Sequence, residues 1–108
     1  MYKRILIATD GSEKSKAAAK EGMELAKALG AQVIALNVVN EVVIASAVRQ
    51  LGSERKDVEA RLKAAGEKAV DELKSMGSSI GVNVDSVVRI GAPATAIIDT
   101  AGAEKADL

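Results

Sequence analysis

Near its N-terminus the chain reads Arg4-Ile5-Leu6-Ile7-Ala8-Thr9-Asp10-Gly11-Ser12. The apolar run from Ile5 to Ile7 is unbroken, which is typical of a strand covered on both faces rather than one that alternates between core and water. The residues from Thr9 to Ser12 then end the strand and begin a helix. In a parallel α/β sheet this point is the carboxyl end of a strand, where ligands bind. Asp10 is therefore the first candidate for a site residue.

The composition predicts one small globular domain with few catalytic groups. The chain has 108 residues, of which 48% are apolar and 28% charged, so we expect a single domain over residues 1–108. It contains no histidine and no cysteine. It therefore lacks the commonest general base and metal ligand, thiolate chemistry is excluded, and we expect no metal site.

The same composition argues against nucleic-acid and membrane partners. Lysine plus arginine equals aspartate plus glutamate at 15 each, and Tyr2 is the only aromatic residue. Neither a basic surface nor a base-stacking platform is expected. No apolar run approaches ~20 residues and no signal-peptide pattern is present, so we expect a cytoplasmic protein that does not bind membranes.

Apolar periodicity predicts alternating strands and helices. Strands are expected over residues 3–9, 32–39 and 82–90, and helices over 14–29, over 54–75 and from Pro93 onward. Ser12 is predicted to cap the first helix and Gly30 to end it. The predicted buried stripes are Ala18, Ala19, Gly22, Ala26 and Leu29 in the first helix, Val58, Leu62, Ala65, Ala69, Leu73 and Met76 in the second, and Ile97, Ile98 and Ala101 in the third.

The segment from Val42 to Ser53 has two interpretations. Its apolar residues favour an extra helical turn packed over the sheet, ended by Gly52-Ser53. The alternative is a lid or partner-binding segment, because it leaves the same edge of the sheet as Asp10. We favour the first.

The predicted order of elements is β-α-β-α-β-α. Right-handed crossovers make the sheet parallel, with strand order 3-2-1. That order leaves the first strand at an edge, although its sequence is that of a central strand. We therefore expect a second half to be missing, with Asp107-Leu108 as the start of a further element.

Asp10 has two candidate roles. It can form an Asx-turn or a helix cap, which is common in Asp-Gly-Ser sequences. It can also accept hydrogen bonds from ligand hydroxyls such as those of a ribose. Phosphate is disfavoured here, because Asp10 and Glu13 place two carboxylates at this helix N-terminus, and the loop matches neither G-x-G-x-x-G nor the P-loop.

The other candidate positions carry weaker signals. Gly91-Ala92-Pro93 is explained by turn chemistry, and Thr95 could form a polar wall. Val38 is expected in the core, although backbone at a strand end can hydrogen-bond an adenine edge. A nucleophilic serine is not expected, because Ser12 and Ser15 have no histidine base.

The combination of these sequences resembles the universal stress protein family. The residues that carry the resemblance span the chain: Ile5 to Ser12 with Ser15, Leu36-Asn37-Val38-Val39, Gly91-Ala92-Pro93 with Ile97-Ile98, and Ala106-Asp107-Leu108. The resemblance implies a flavodoxin-like α/β fold of five parallel strands in the order 3-2-1-4-5. It also implies a homodimer and binding of ATP or AMP, with Mg²⁺ as a possible companion.

The resemblance also implies roles for individual residues. Ala8, Thr9 and Asp10 would line the adenosine pocket with Asp10 at the ribose, Val38 would offer its backbone to adenine, and Gly91 to Pro93 would lie beside the pocket. Asn37 stands where many members carry histidine, which we interpret as a minor change. The family's phosphate-binding glycine loop, G-x-x-G-(x)9-G-[ST], follows strand four and would lie beyond Leu108.

The resulting expectation is an adenine-nucleotide-binding domain with a stress-response role, whose site is incomplete in this chain and binds nucleotide weakly or not at all. One alternative is a protein-interaction or dimerisation module that uses the exposed edge and residues 42–51. A less favoured alternative is a weak nucleotide hydrolase in which Asp10 orients a metal ion or water, because one carboxylate makes a poor magnesium site.

Overall fold

The structure, a computed structural model, describes residues 4–52 and 54–106. The elements in chain order are β1 (Arg4–Ala8), α1 (Glu13–Leu29), β2 (Gln32–Asn40), α2 (Glu41–Leu51), α3 (Arg55–Ser79), β3 (Val84–Gly91) and α4 (Pro93–Ala103). The predicted alternation of strands and helices is confirmed. Predictions made for Tyr2, Lys3, Ser53 and Asp107-Leu108 lie outside the described residues.

The three strands form one parallel sheet in the order β1-β2-β3. The register places Ala8 beside Leu36 and Leu36 beside Val87. β2 is central, and its residues 33–37 are all buried. As three strands in this order require, β1 lies at one edge of the described sheet. Because all strands run the same way, their carboxyl ends meet at one edge, which contains Asp10 and the end of β2.

The main core lies between the sheet and the pair α1 and α3. Met23 of α1 and Val70 and Leu73 of α3 pack on Val33 and Ala35 of β2. Side chains alternate along a strand, so Leu36 and Val38 face the other side. There α4 packs on β2 and β3. α4 is therefore separated by the sheet from the other two helices.

α2 is the predicted extra helix. It begins at an N-cap formed by Asn40, whose side chain accepts a hydrogen bond from Val42 N, and ends at Gly52 with φ +64°. Ile44 is fully buried and packs with Val39 and Val58 in a second, smaller core. α2 therefore covers the carboxyl end of β2 on the face that carries α3.

The end of α3 differs from the prediction, which stopped the helix at Ser75. The helix continues through Gly77 to Ser79, whose Oγ donates to Met76 O at 2.8 Å. A Cβ at Gly77 would collide with the Val84 side chain and lie 3.0 Å from Val82 O. Gly77 thus permits close approach of helix and strand rather than ending the helix. β3 in turn begins at Val84, two residues later than predicted.

The predicted buried stripes are wrong at three positions. Ala18 and Ala65 are exposed, and Ile98 is 71% exposed. In α4 the buried residues are Ala96 and Thr100, which lie four apart. Ile98 falls midway between them along the chain, which places it on the opposite side of the helix, so apolar character alone gave the wrong face. Thr100 Oγ1 is buried without a hydrogen-bond partner among the described residues.

Two glycines in helices provide a matched test of the close approach at Gly77. Gly77→Ala should destabilise the protein by about 1–3 kcal/mol, because the new methyl group has no space. Gly102→Ala, in α4, should stabilise it by about 0.5–1 kcal/mol, because nothing lies within 4 Å of the added Cβ and alanine favours helix. Urea unfolding of both variants measures the two changes, and equal effects would contradict the packing argument.

Candidate functional site

The turn after β1 is held by backbone and by the Thr9 side chain. Thr9 is buried, its N donates to Leu36 O at 2.9 Å, and its Oγ1 accepts from Gly11 N at 3.1 Å. Gly11 has φ +81°, a conformation that favours glycine, and a Cβ there would already touch Ala69. These contacts stop the strand abruptly and direct the chain into α1.

Asp10 forms the Asx-turn that the sequence suggested. Its Oδ1 accepts from Ser12 N at 2.8 Å, and Ser12 caps α1 by accepting from Ser15 N at 3.1 Å. Asp10 N in turn donates to Ser15 Oγ at 3.3 Å. The side chain is nevertheless exposed, so the turn does not remove the carboxylate from a ligand's reach.

Hydrogen bonds to the Asp10 carboxylate keep it ionised. The Ser12 hydroxyl contributes most, followed by Ser12 N–H and the Ser15 hydroxyl, and together they lower the pKa of Asp10 from the usual 3.8 to about 2. The nearby Lys16 is part of a small network of ion pairs. It pairs with Glu72 of α3 at 3.1 Å and with Glu13 at 3.5 Å, which raises its pKa. The site therefore presents a negative charge at the start of α1.

Asn37 is the site residue that the sequence analysis undervalued. Its side chain is buried, and its Nδ2 donates to Thr9 O at 2.9 Å. Gly66 of α3 lies directly behind this amide, since a Cβ at Gly66 would collide with the Asn37 side chain. One signal was available in the sequence: a polar residue in the middle of an otherwise apolar strand requires a buried partner.

The backbone of Val38 projects past the end of β1. Thr9 N donates to Leu36 O, whereas Val33 N donates to Asn83 O next to β3. Even-numbered residues of β2 therefore direct their N–H and C=O toward β1, and odd-numbered residues direct theirs toward β3. The ladder with β1 ends at Ala8 and Leu36. Val38 is the next residue that faces this side, and neither its N–H nor its C=O has a partner in the described residues.

Two clefts open on the two sides of this edge. The α4 cleft has a volume of 280 Å³ and is lined by Ala8, Thr9, Asp10, Ser15, Leu36, Val38, Pro93 and Ile97. The α2–α3 cleft has a volume of 330 Å³ and is lined by Asp10, Asn37, Val38, Val39, Asn40, Val43, Leu62, Ala65 and Gly66. Both are at the lower end of the range for small-molecule sites. They share Asp10 and Val38, and so form one continuous region.

The structure brings five of the six predicted site residues together. Ala8, Thr9, Asp10, Val38 and Pro93 all line the α4 cleft. Gly91 lines neither cleft, and neither does Thr95. Gly91 is the last residue of β3 and pairs with Asn40, so β2 lies between it and the strand that Asp10 follows. Ala92 and Pro93 follow it, and α4 begins at Pro93.

Across residues 4–52 and 54–106, no three acidic side chains come close enough together to hold a metal ion. Among the helices described, none combines the length and apolar character needed to cross a membrane.

The model of the universal stress protein family matches residues 1–108. The chain belongs to this family. Universal stress protein MJ0531 of Methanocaldococcus jannaschii is 34% identical over 108 residues, which is all of this chain and 62% of that protein. The chain thus spans less than two thirds of the length of this relative.

Solved structures confirm the flavodoxin-like α/β fold. The hypothetical protein MJ0577 superposes with a TM-score of 0.81 at 27% identity, over 99% of this chain and 72% of that chain. A universal stress protein family member from Burkholderia pseudomallei gives 0.79 at 20% identity, over 97% and 76%. A universal stress protein in complex with cAMP gives 0.72 at 23% identity, over 98% and 73%.

The Asp10 carboxylate should stabilise the fold only where it is ionised. Its folded pKa lies below the unfolded value, so its contribution is present above pH 3.8 and is lost as the pH falls toward about 2. Asp10→Asn keeps an oxygen for the Asx-turn but does not titrate. The difference in unfolding free energy between wild type and Asp10→Asn should therefore shrink between pH 5 and pH 2 in urea titrations. A difference that stays constant over this range would contradict the assignment.

Proposed function

We propose that this chain carries the adenosine-binding part of an adenine-nucleotide site in a cytoplasmic stress-response domain, with ATP or AMP as the nucleotide. The observation that carries the proposal is the position of Val38, whose backbone N–H and C=O project past the end of β1 beside Asp10. The universal stress protein solved in complex with cAMP supports it by analogy, since that ligand contains an adenosine unit.

Adenine complements the backbone of Val38 in a way that hypoxanthine and guanine do not. Its N1 accepts a hydrogen bond and its 6-amino group donates one, which matches the N–H and C=O of a strand residue. Hypoxanthine and guanine carry a hydrogen on N1 and an oxygen at position 6. They would present donor to donor and acceptor to acceptor, and unpaired buried polar groups are costly. The site therefore selects for adenine.

Asp10 suits the sugar of the same ligand. An exposed, ionised carboxylate accepts hydrogen bonds from ribose hydroxyls, and bonds to charged acceptors are stronger than neutral ones. Its charge repels phosphate, so the phosphates extend away from α1. A single carboxylate also makes a poor magnesium site, and Mg²⁺ would be held mainly by the nucleotide's own phosphates. Ala8 and Pro93 supply apolar walls in the α4 cleft.

A comparison of adenosine with inosine tests the proposal. We expect adenosine to shift the backbone amide NMR signals of Asp10 and Val38, with a Kd on the order of 1 mM. Inosine should bind at least about tenfold more weakly, because it reverses the hydrogen-bonding pattern that faces Val38. Asp10→Asn should weaken adenosine binding while the fold persists, because the amide offers one acceptor where the carboxylate offers two.

Three results would contradict parts of this proposal. Equal binding of inosine would exclude recognition by Val38, and signal changes confined to another surface would exclude the site. Micromolar affinity of this chain for ATP would refute the expectation that it binds nucleotide weakly or not at all.

A second candidate function is association with another protein chain. Val42 is 72% and Leu51 66% exposed on α2, and β1 lies at the edge of the described sheet. Both features favour self-association, and we propose a homo-oligomer, with a dimer as its simplest form.

The apparent mass in size-exclusion chromatography should fall on dilution. Val42→Lys should shift the profile toward the monomer, whereas Lys20→Glu, an exposed change on α1, should not. A concentration-independent monomer would contradict it.

A further inference from the structure

We infer that Asn37 is a positioning residue that stops the β1–β2 ladder and keeps the Val38 backbone available for a base edge. The inference rests on the proposed adenine site for its purpose, but its structural part can be tested without any ligand. Asn37 itself touches no ligand in this scheme. It acts through the carbonyl of Thr9.

A regular parallel ladder would consume both backbone groups of Val38. In such a ladder a residue donates to the carbonyl before its partner and accepts from the N–H after it. Thr9 N already donates to Leu36 O at 2.9 Å, as this pattern requires. If β1 continued by one more step, Val38 N would donate to Thr9 O, and Val38 O would accept from Gly11 N.

Both of those partners are occupied by side chains instead. Thr9 O accepts from Asn37 Nδ2 at 2.9 Å, and Gly11 N donates to Thr9 Oγ1 at 3.1 Å. Two polar side chains therefore replace the next rung of the ladder. The pairing of β2 with β1 therefore ends at Leu36. The N–H and C=O of Val38 are left facing the region that the two clefts share.

The Asn37 amide is fixed in the orientation that this role needs. Asn37 is 9% exposed, and its nitrogen must face Thr9 O, because the flipped amide would place two oxygens against each other. The other side of the amide rests against Gly66, where any Cβ would collide with it. The side chain consequently has little freedom to turn away and release Thr9 O.

Amide hydrogen exchange at Val38 tests the inference in the ligand-free chain. In the wild type we expect Val38 N–H to exchange fast, like an amide without a hydrogen bond, while Leu36 N–H is protected. Asn37→Leu has a similar shape but donates no hydrogen bond, so Thr9 O becomes available to Val38 N. Protection of Val38 should rise at least about tenfold, and adenosine affinity should fall at least about tenfold.

Two further variants complete the test. Asn37→Ala also removes the hydrogen-bond donor, but it does not fill the space beside Gly66. It replaces Asn37→Leu in this test if the leucine variant does not fold. It should likewise raise protection at Val38. Asn83→Ala is the matched control, because Asn83 is an exposed asparagine at the opposite end of the sheet with no side-chain hydrogen bond among the described residues. It should leave Val38 exchange and adenosine affinity unchanged.

The outcomes separate this inference from the proposed function. Slow exchange of Val38 in the wild type, or unchanged exchange in the folded Asn37 variants, would overturn the inference whatever the chain binds. Exchange as expected, with no adenosine binding by the wild type, would support the ladder-stopping role and overturn the proposed function.

Discussion

The hydrogen bond from Asn37 to the carbonyl of Thr9 is the contact on which the proposed site depends. It joins the central strand to the end of β1 at the point where pairing stops, and it is buried. A neutral hydrogen bond contributes only about 1 kcal/mol net, but leaving one of its groups unpaired in the interior costs more. Its main effect is geometric, because it determines which backbone groups remain for a ligand at the carboxyl edge of the sheet.

The helices on one side of the sheet support this contact. α3 lies close to β2 because Gly66 leaves room for Asn37, and close to β3 because Gly77 leaves room for Val84. α1 is held near α3 by shared core residues such as Met23 and Leu73, and by the pair of Lys16 with Glu72. The turn that carries Asp10 is thus connected to the same helix that backs Asn37. The close approaches of α3 to the sheet therefore determine both the packing of this layer and the geometry of the proposed site.

Much of this architecture could be predicted from the sequence. The unbroken apolar runs gave the parallel strands, and the Ser12 cap and Gly30 gave the limits of α1, because these signals are local. The end of α3 and the buried face of α4 could not be predicted in the same way. From the sequence alone, Gly77 resembles a helix terminator and Ile98 resembles a core residue. Their roles become clear only once the strand that packs on α3 and the position of Pro93 at the start of α4 are known.

The residues of the candidate site also divide into those that a local sequence signal predicts and those whose role depends on tertiary contacts. Asp10 stood out because it follows an unbroken apolar run, and its Asx-turn was one of the two roles considered. Asn37 was noticed only as an unusual residue, since its role depends on a carbonyl 28 positions away in the chain. The resemblance to the universal stress protein family supplied Val38. It could not indicate why that backbone is unpaired, which follows only from the register of the strands.

Gly66 sets a limit on how this domain can vary. Gly66 offers no side chain to a ligand. Its lack of a Cβ nevertheless determines how closely α3 can approach the sheet, because a Cβ there would collide with Asn37. A methyl group there would push the buried Asn37 amide away from β1. The backbone pairing between β1 and β2 could then extend further. The proposed adenosine binding would then be lost through a substitution in α3 that removes none of the polar groups proposed to face the ligand.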